Sequence, residues 1–314
     1  MNTKEAYKYF KKRLDNDYEQ FEGYLLDCIN KYGDDYEKFI GLIETNIEKI
    51  HSCCRAWADQ GYFLNNTYVD TLCQYMFTRD MLDRKTGPIS MFEFSPFRGW
   101  STFVQLRAIH DSGRKDVKMT TCDNKGECIR LTTKFLESMR DHIAYDCLTL
   151  KKSDVMKLLA KMEPNSIDHM FIDSDHGRQF TKDYIEAGAF KVCKKDAYIH
   201  IHDFVFWTEI DAEKYAEPTV IANYVKDNED KFKNYTMGQL FNLLGGENKH
   251  ESLVEARSSD ENSKYFTDVN FFVREDLSKK YWLGGTIMDI NKNGIHKNKT
   301  WLSGLAGWMI PNDK

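Results

Sequence analysis

Residues 167–176 read Ile167-Asp168-His169-Met170-Phe171-Ile172-Asp173-Ser174-Asp175-His176, a short, largely apolar run that ends abruptly in two acids and a histidine. A run of that length reads as a strand buried on both faces, which is what the interior of a parallel sheet demands. The polar groups crowded behind it matter for a different reason. In an open α/β sheet ligands sit beyond the carboxyl ends of the strands, where the chain order reverses, so residues just past a strand are the first candidates for chemistry.

Working outward from this run, similar apolar stretches lie at Ile89 to Phe94, Val117 to Thr121, Cys147 to Leu150 and Ala197 to Ile201. Helical three-and-four spacing fills the intervals at Thr102 to Ile109, Ile129 to Met139, Val155 to Met162 and Phe180 to Phe190. Strand alternating with helix predicts a Rossmann-like, doubly wound, mostly parallel sheet with helices on both faces. The breaker Thr86-Gly87-Pro88 opens this region. Ahead of it, Tyr7, Phe10, Leu14, Tyr18, Phe21 and Leu25 mark an amphipathic helix. Gly33 is expected to stop that helix and Asp34 or Asp35 to cap the next, which Phe39, Leu42, Ile43, Ile47 and Ile50 continue. The expected organisation is a helical N-terminal extension over 1–80, followed by the α/β domain with a C-terminal elaboration over 81–314. Within that elaboration Thr219 to Phe232 is expected to be helical. Met237 to Leu244, Val269 to Val273 and Trp282 to Ile290 are candidate strands, and the charged stretch Glu247 to Lys264 a surface insertion.

Composition narrows the function. A net charge of −5 with a sequence pI near 6.0, and no long Lys/Arg block, argues against a nucleic-acid partner. The opening residues lack the apolar core of a secretory signal, and no uncharged apolar stretch reaches membrane-spanning length, so a cytoplasmic protein without a membrane partner is expected. The eight cysteines show no paired CxxC spacing and read as reduced structural thiols. The N-terminal helices are a candidate surface for a homo-oligomer.

Five strand ends carry the remaining signal. The first runs Glu93-Phe94-Ser95-Pro96-Phe97-Arg98-Gly99-Trp100-Ser101-Thr102, where Gly99 can admit a ligand to the backbone and Ser101 or Thr102 can cap a helix. The second ends at Asp123, placed to accept hydrogen bonds from ribose hydroxyls. After the third come Ser153 and Asp154, helix caps or contacts to an adenine amino group. The fourth is the opening decapeptide, and the strand after it finishes His200-Ile201-His202-Asp203-Phe204. Asp173, Asp175, His176, His202 and Asp203 together could hold Mg²⁺ or Mn²⁺, or act as a general-base site. His169 and His200, lying within strands, are expected to be satisfied core histidines. His51-Ser52-Cys53-Cys54 fits a buried helix face better than a zinc site, and Trp207 is a candidate for an acceptor pocket.

The stretch from Glu93 to Thr102 resembles the first motif of class I S-adenosylmethionine-dependent methyltransferases. In that family an acid and glycines cradle the methionine end of the cofactor; here Ser95 stands where a glycine is usual. The IDxDH strand end followed by one ending HD resembles the subgroup that includes sugar and macrolide-sugar O-methyltransferases, the methyltransferase family 24 type. The resemblance covers about Ile89 to Phe206. It implies S-adenosyl-L-methionine as cofactor, bound through Glu93, Ser95, Gly99, Ser101, Asp123, Ser153, Asp154 and Asp173. It further implies a divalent metal on Asp173 and Asp203, catalysis by His176, Asp173 and His202, and a sugar hydroxyl of a small molecule, glycan or nucleotide sugar as acceptor. Two other readings stay open at this point. An NAD-dependent oxidoreductase would use the same sheet, but the first turn lacks GxGxxG and so offers no glycine-lined seat for a pyrophosphate. A noncatalytic Rossmann-like interaction module is the other.

Overall fold

The computed structural model describes residues 1–46, 49–50, 68–202, 204, 216–239 and 307–311. Its centre is a seven-stranded sheet of order β3-β2-β1-β4-β5-β7-β6. The strands are β1 (Ile89–Phe94), β2 (Val117–Asp123), β3 (Leu148–Lys152), β4 (Ile167–Ile172), β5 (Cys193–Ile201), β6 (Tyr235–Gln239) and β7 (Gly307–Pro311). The first five run parallel. β7 enters antiparallel between β5 and β6. The chain winds outward from β1 to β3, then returns to lay β4 on the other side of β1, and that reversal makes the topological switch point where such sheets bind ligands.

The doubly wound, mostly parallel sheet expected from the alternation is what forms. Its strands β1 and β4 have the bounds read from the sequence, because both are buried over nearly their whole length and their apolar runs are unbroken. Polar residues hid the others' true ends. β5 begins at Cys193, four residues earlier than the apolar run, since Lys194, Lys195 and Asp196 lie at an exposed strand start. β3 takes in Lys151 and Lys152 at the sheet edge, where solvent satisfies them.

Ahead of the sheet the described residues include the helices α1 (Thr3–Thr45) and α2 (Tyr68–Arg84). The expected break at Gly33 is absent: α1 is continuous through it. A helical glycine costs about 1 kcal/mol against alanine. That is less than the packing on either side supplies, where Ile29, Tyr32, Tyr36, Phe39 and Ile43 are all buried. The apolar stripe of α1 is thus covered within its own chain. At one point it touches the sheet closely: a Cβ on Gly238 of β6 would stand 2.1 Å from the ring of Phe21. Among the described residues no helix is long and apolar enough to cross a membrane.

After β1 come α3 (Trp100–Ser112), then α4 (Gly126–Ser138), α5 (Val155–Leu159), α6 (Arg178–Glu186), α7 (Ala189–Val192), α8 (Glu217–Asp227) and α9 (Glu229–Phe232). The single helix expected over Phe180 to Phe190 is two. Gly188 at φ 105 takes a left-handed turn between α6 and α7 that a helix cannot contain. Likewise Asn228, at φ −130, separates α8 from α9 within the expected Thr219 to Phe232 helix. A chain of aromatic contacts joins the layers on one face, with ring centroids 5.6 Å apart for Phe39–Phe103, 5.5 Å for Trp100–Phe103 and 5.2 Å for Phe103–Phe135. It fixes α3, the helix that follows the first strand end, between α1 and α4. The six cysteines among the described residues are free, and burial pushes the thiols of Cys122 and Cys193 up to about 12, so they pack as inert side chains. The candidate strands at Val269 to Val273 and Trp282 to Ile290, the stretch Glu247 to Lys264, His51 to Cys54 and Trp207 lie outside the described residues.

Candidate active site

Backbone hydrogen bonds continue the parallel ladders one step past the strands and so align the strand ends. Ser153 N donates to Asp123 O (2.9 Å), Ser95 N to Cys122 O (2.8 Å), Asp173 N to Phe94 O (3.4 Å) and His202 N to Ile172 O (2.8 Å). Ser153, Asp123, Ser95, Asp173 and His202 therefore stand in a row along the carboxyl edge, with the switch point between Ser95 and Asp173.

Around the first strand end the side chains do not do what the linear order suggests. Glu93 is fully buried, and its carboxylate accepts from Ser101 Oγ (2.6 Å), Thr102 Oγ1 (2.5 Å) and Gln105 Nε2 (3.3 Å). Ser101 and Thr102 thus do not cap α3. Their hydroxyls turn inward to an acid that would otherwise be buried without donors, and burial nevertheless holds the Glu93 carboxyl above its ordinary value. The part of Glu93 and Ser101 is to tie the first turn of α3 to β1, with no surface left on Glu93 to meet a ligand. Gly99 is the N-cap, at φ 89 and ψ 13. It admits α4 where a ligand approach was expected: a Cβ there would come 2.9 Å from Thr132 Cγ2. Gly99→Ala is expected to lose about 2 kcal/mol from the left-handed backbone and this contact together. Adding Thr132→Ser, which deletes the methyl, should restore the contact part alone. Urea denaturation of the three variants measures both, and an additive double mutant would refute the contact.

The turn itself is strained where the family usually has glycine. Ser95 sits at φ 67 and Phe97 at φ 49, both left-handed. Strain of this kind persists only where surrounding structure imposes it and gathers at functional sites. Ser95 thus adopts the backbone that a glycine supplies freely. Replacing it by glycine should stabilise the protein by roughly 0.5–1 kcal/mol, the relief of a left-handed non-glycine residue less the added chain entropy. A lower urea midpoint for Ser95→Gly would show the strain to be absent.

Asp123 closes β2 and receives Lys125 N on Oδ1 at 2.7 Å, which leaves its carboxylate further acceptor capacity for a ribose diol. Asp154 caps α5, accepting from Met156 N (2.8 Å) and Lys157 N (3.3 Å), which is the capping role weighed for it. Ser174 Oγ and Arg98 Nε are buried with no hydrogen-bond partner among the described residues, as groups are that a polar ligand satisfies. The left-handed turn, the terminal acid of β2 and these orphaned atoms fit a nucleoside-type cofactor laid across the switch point.

Past β4, Asp173 and His202 meet, His202 Nδ1 lying 3.4 Å from Asp173 Oδ1. Burial works to raise the Asp173 carboxyl, but His202, and after it His176 and His200, outweigh it and hold it below its ordinary value. Asp175 is exposed and spends Oδ1 on Gly177 N at 2.8 Å, which takes it out of the cluster. His169 is buried as expected, yet its Nδ1 has no hydrogen-bond partner among the described residues. Among the described residues no three His, Cys, Asp or Glu side chains gather as a metal-holding group, and Asp203 lies outside them.

His176 has a partner the sequence did not show. Its Nδ1 lies 2.6 Å from Glu217 Oε2, and Glu217 Oε1 accepts from Tyr184 OH at 2.7 Å. Glu217 opens α8, 41 positions downstream. Pro218 announces a helix start there, but no linear pattern joins it to a strand end.

Residues 96–204 match a family model described as a methyltransferase domain, roughly a third of the 314-residue chain. No curated protein matches the sequence. Solved structures similar to it include cofactor-bound Rv0187 from MTB, at 14% identity over 61% of this chain and 82% of that one, with a TM-score of 0.44. Another is the O-methyltransferase from Bacillus cereus in complex with SAH, at 12% identity over 62% and 83%, TM-score 0.44. A third is the O-methyltransferase TomG from Streptomyces achromogenes, involved in tomaymycin synthesis and solved with SAM, at 14% identity over 62% and 81%, TM-score 0.41. The family match begins in the strained turn after β1 and ends just past β5, the stretch whose strand ends form the polar row, and over that stretch the chain is similar to methyltransferase domains.

Proposed function

We propose that the chain is an O-methyltransferase acting on a sugar hydroxyl, in a glycan or a nucleotide sugar. The observation that carries this reading is His176, a histidine three residues beyond the Asp173 strand end whose ring is held by a buried carboxylate. S-adenosyl-L-methionine supplies an electrophilic methyl group that needs no covalent help from the protein. An alcohol oxygen, by contrast, is a poor nucleophile until its proton has somewhere to go. His176 takes that proton as attack proceeds, and Asp173, kept ionised by its histidine neighbours, accepts a hydrogen bond from the acceptor and orients it. His202 holds Asp173 in place. Asp123 and the turn at Ser95 and Phe97 bind the donor.

The divalent ion that the family resemblance implies would use Asp173 together with Asp203. Asp203 lies outside the described residues. The test is a labelled-methyl transfer screen over nucleotide sugars, glycans and catechols, with and without Mg²⁺ or Mn²⁺, alongside calorimetry with S-adenosylhomocysteine. Transfer to a sugar is the expected result. Binding of S-adenosylhomocysteine with transfer only to catechols would overturn the sugar acceptor, and no binding would overturn the whole reading.

A further inference from the structure

We infer that Glu217 is the positioning residue for His176, fixing which ring nitrogen carries the proton and aiming the other at the acceptor. The inference rests on the reading of His176 as the base. Its ground is geometric. Glu217 is fully buried at the start of α8, and both of its carboxylate oxygens are engaged, Oε2 with His176 Nδ1 at 2.6 Å and Oε1 with the hydroxyl of Tyr184 at 2.7 Å. Tyr184 is itself fully buried, and burial beside Glu217 raises its phenol well above the ordinary value, so it stays a donor.

The backbone adds a second tie: Glu217 N donates to His176 O at 2.9 Å. The loop after β4 is therefore locked to the first turn of α8 twice, once through the main chain and once through the imidazole. A carboxylate only accepts, so it holds the imidazole as the Nδ1–H tautomer. The lone pair is then on Nε2. As the methyl carbon passes from sulfur to the acceptor oxygen, the C–S electron pair stays on sulfur and the hydroxyl proton goes to Nε2. The positive charge lost from the sulfonium reappears on an imidazolium beside Glu217. Because that charge forms 2.6 Å from a buried carboxylate, Glu217 favours the protonated base that the step produces.

A purely structural role for Glu217, tying α6 to α8 through Tyr184, makes a different forecast. It would let activity fall with the folded fraction and leave the tautomer and pH profile alone. The test uses the full chain with ¹⁵N-labelled histidine, His176 being assigned by its loss in His176→Ala. In the wild type His176 should be protonated on Nδ1 when neutral. In Glu217→Gln, whose amide can donate to Nδ1 as well as accept, it should move toward the Nε2–H form. This readout needs no turnover, so it stands even if the acceptor class is wrong.

With an acceptor from the screen, Glu217→Gln should lower kcat about 10–100-fold with KM within threefold, and shift the acid limb of the pH profile to lower pH, since the imidazole loses its anionic neighbour. Glu217→Asp should recover part of kcat. Tyr184→Phe removes one donor to Glu217 and should leave the tautomer unchanged. A wild-type His176 protonated on Nε2 when neutral, or a folded Glu217→Gln with unaltered tautomer and acid limb, would overturn the inference. Failure of the methyl-transfer screen with the tautomer result intact would instead count against the proposed reaction.

Discussion

His176→Ala is expected to lower methyl transfer by about 10²–10⁴-fold, the usual contribution of a positioned general base. The affinity for S-adenosylhomocysteine should stay within about twofold, because Asp123 and the turn at Ser95, the groups proposed to bind the donor, lie on the far side of Asp173 in the strand-end row. Such a split between kcat and donor binding marks a group that acts in the transition state and not in assembling the complex. The substitution also leaves the Glu217 carboxylate buried without the imidazole, so a stability loss of about 1–3 kcal/mol should accompany it. The assay is therefore run well below the melting temperature of the variant. Single-turnover rates with the acceptor found by screening decide the matter. A variant that is folded, binds S-adenosylhomocysteine and transfers methyl within threefold of the wild-type rate would remove His176 from the chemistry.

The largest effect on stability is expected at Glu93. Glu93→Ala leaves Ser101 Oγ and Thr102 Oγ1 without their acceptor in a site closed to solvent, leaves Gln105 Nε2 with the Ser101 carbonyl alone, and opens a cavity under the first turn of α3. Orphaned buried donors cost about 1–3 kcal/mol each when they cannot find another partner, and hydroxyls can rotate to seek one. The sum is therefore about 3–5 kcal/mol. Glu93→Gln keeps an acceptor and should lose much less.

The same pair of proteins carries a pH signature. Burial raises the native Glu93 carboxyl above its unfolded value of 4.5, so the native state holds that proton more tightly. The Glu93 contribution to stability is then fully present below pH 4.5 and is lost as pH rises through the raised native value. Asp173 works in the opposite sense, its stabilising contribution being lost as pH falls through its lowered native value. Subtracting Glu93→Gln from wild type isolates the first effect: the stability difference, measured by urea denaturation from pH 4 to 8, should move against the wild type as pH rises. A flat difference would mean that the carboxyl is not perturbed.

How legible the molecule was from its sequence depended on how local the governing interaction is. β1 and β4 could be bounded because burial on both faces demands an unbroken apolar run, and the run is visible. Gly33 misled because the rule that glycine ends helices is a weak local preference, overridden by the aromatic packing of Tyr32, Tyr36 and Phe39. The strand β7 at Gly307–Pro311 was not read at all, since its place is set by edge pairing with β5 and β6, far away in sequence. Ser101 and Gly99 had the expected positions and different partners. Which way a hydroxyl turns, or what fills the space beside a glycine, is decided by neighbours from other elements.

The sequence by itself determined the alternation of strands and helices and the polar residues Asp123, Asp173, His176 and His202 that close the strands, because a side chain's position at a strand end follows from the strand alone. Only the tertiary structure decided that Glu93 is turned inward as a buried tie, that Ser95 carries a glycine's backbone, and that Glu217 stands behind His176. A buried carboxylate has to be supplied with donors, and which donors reach it is settled when α3 closes on β1 and α8 on the loop after β4, contacts that no spacing along the chain records.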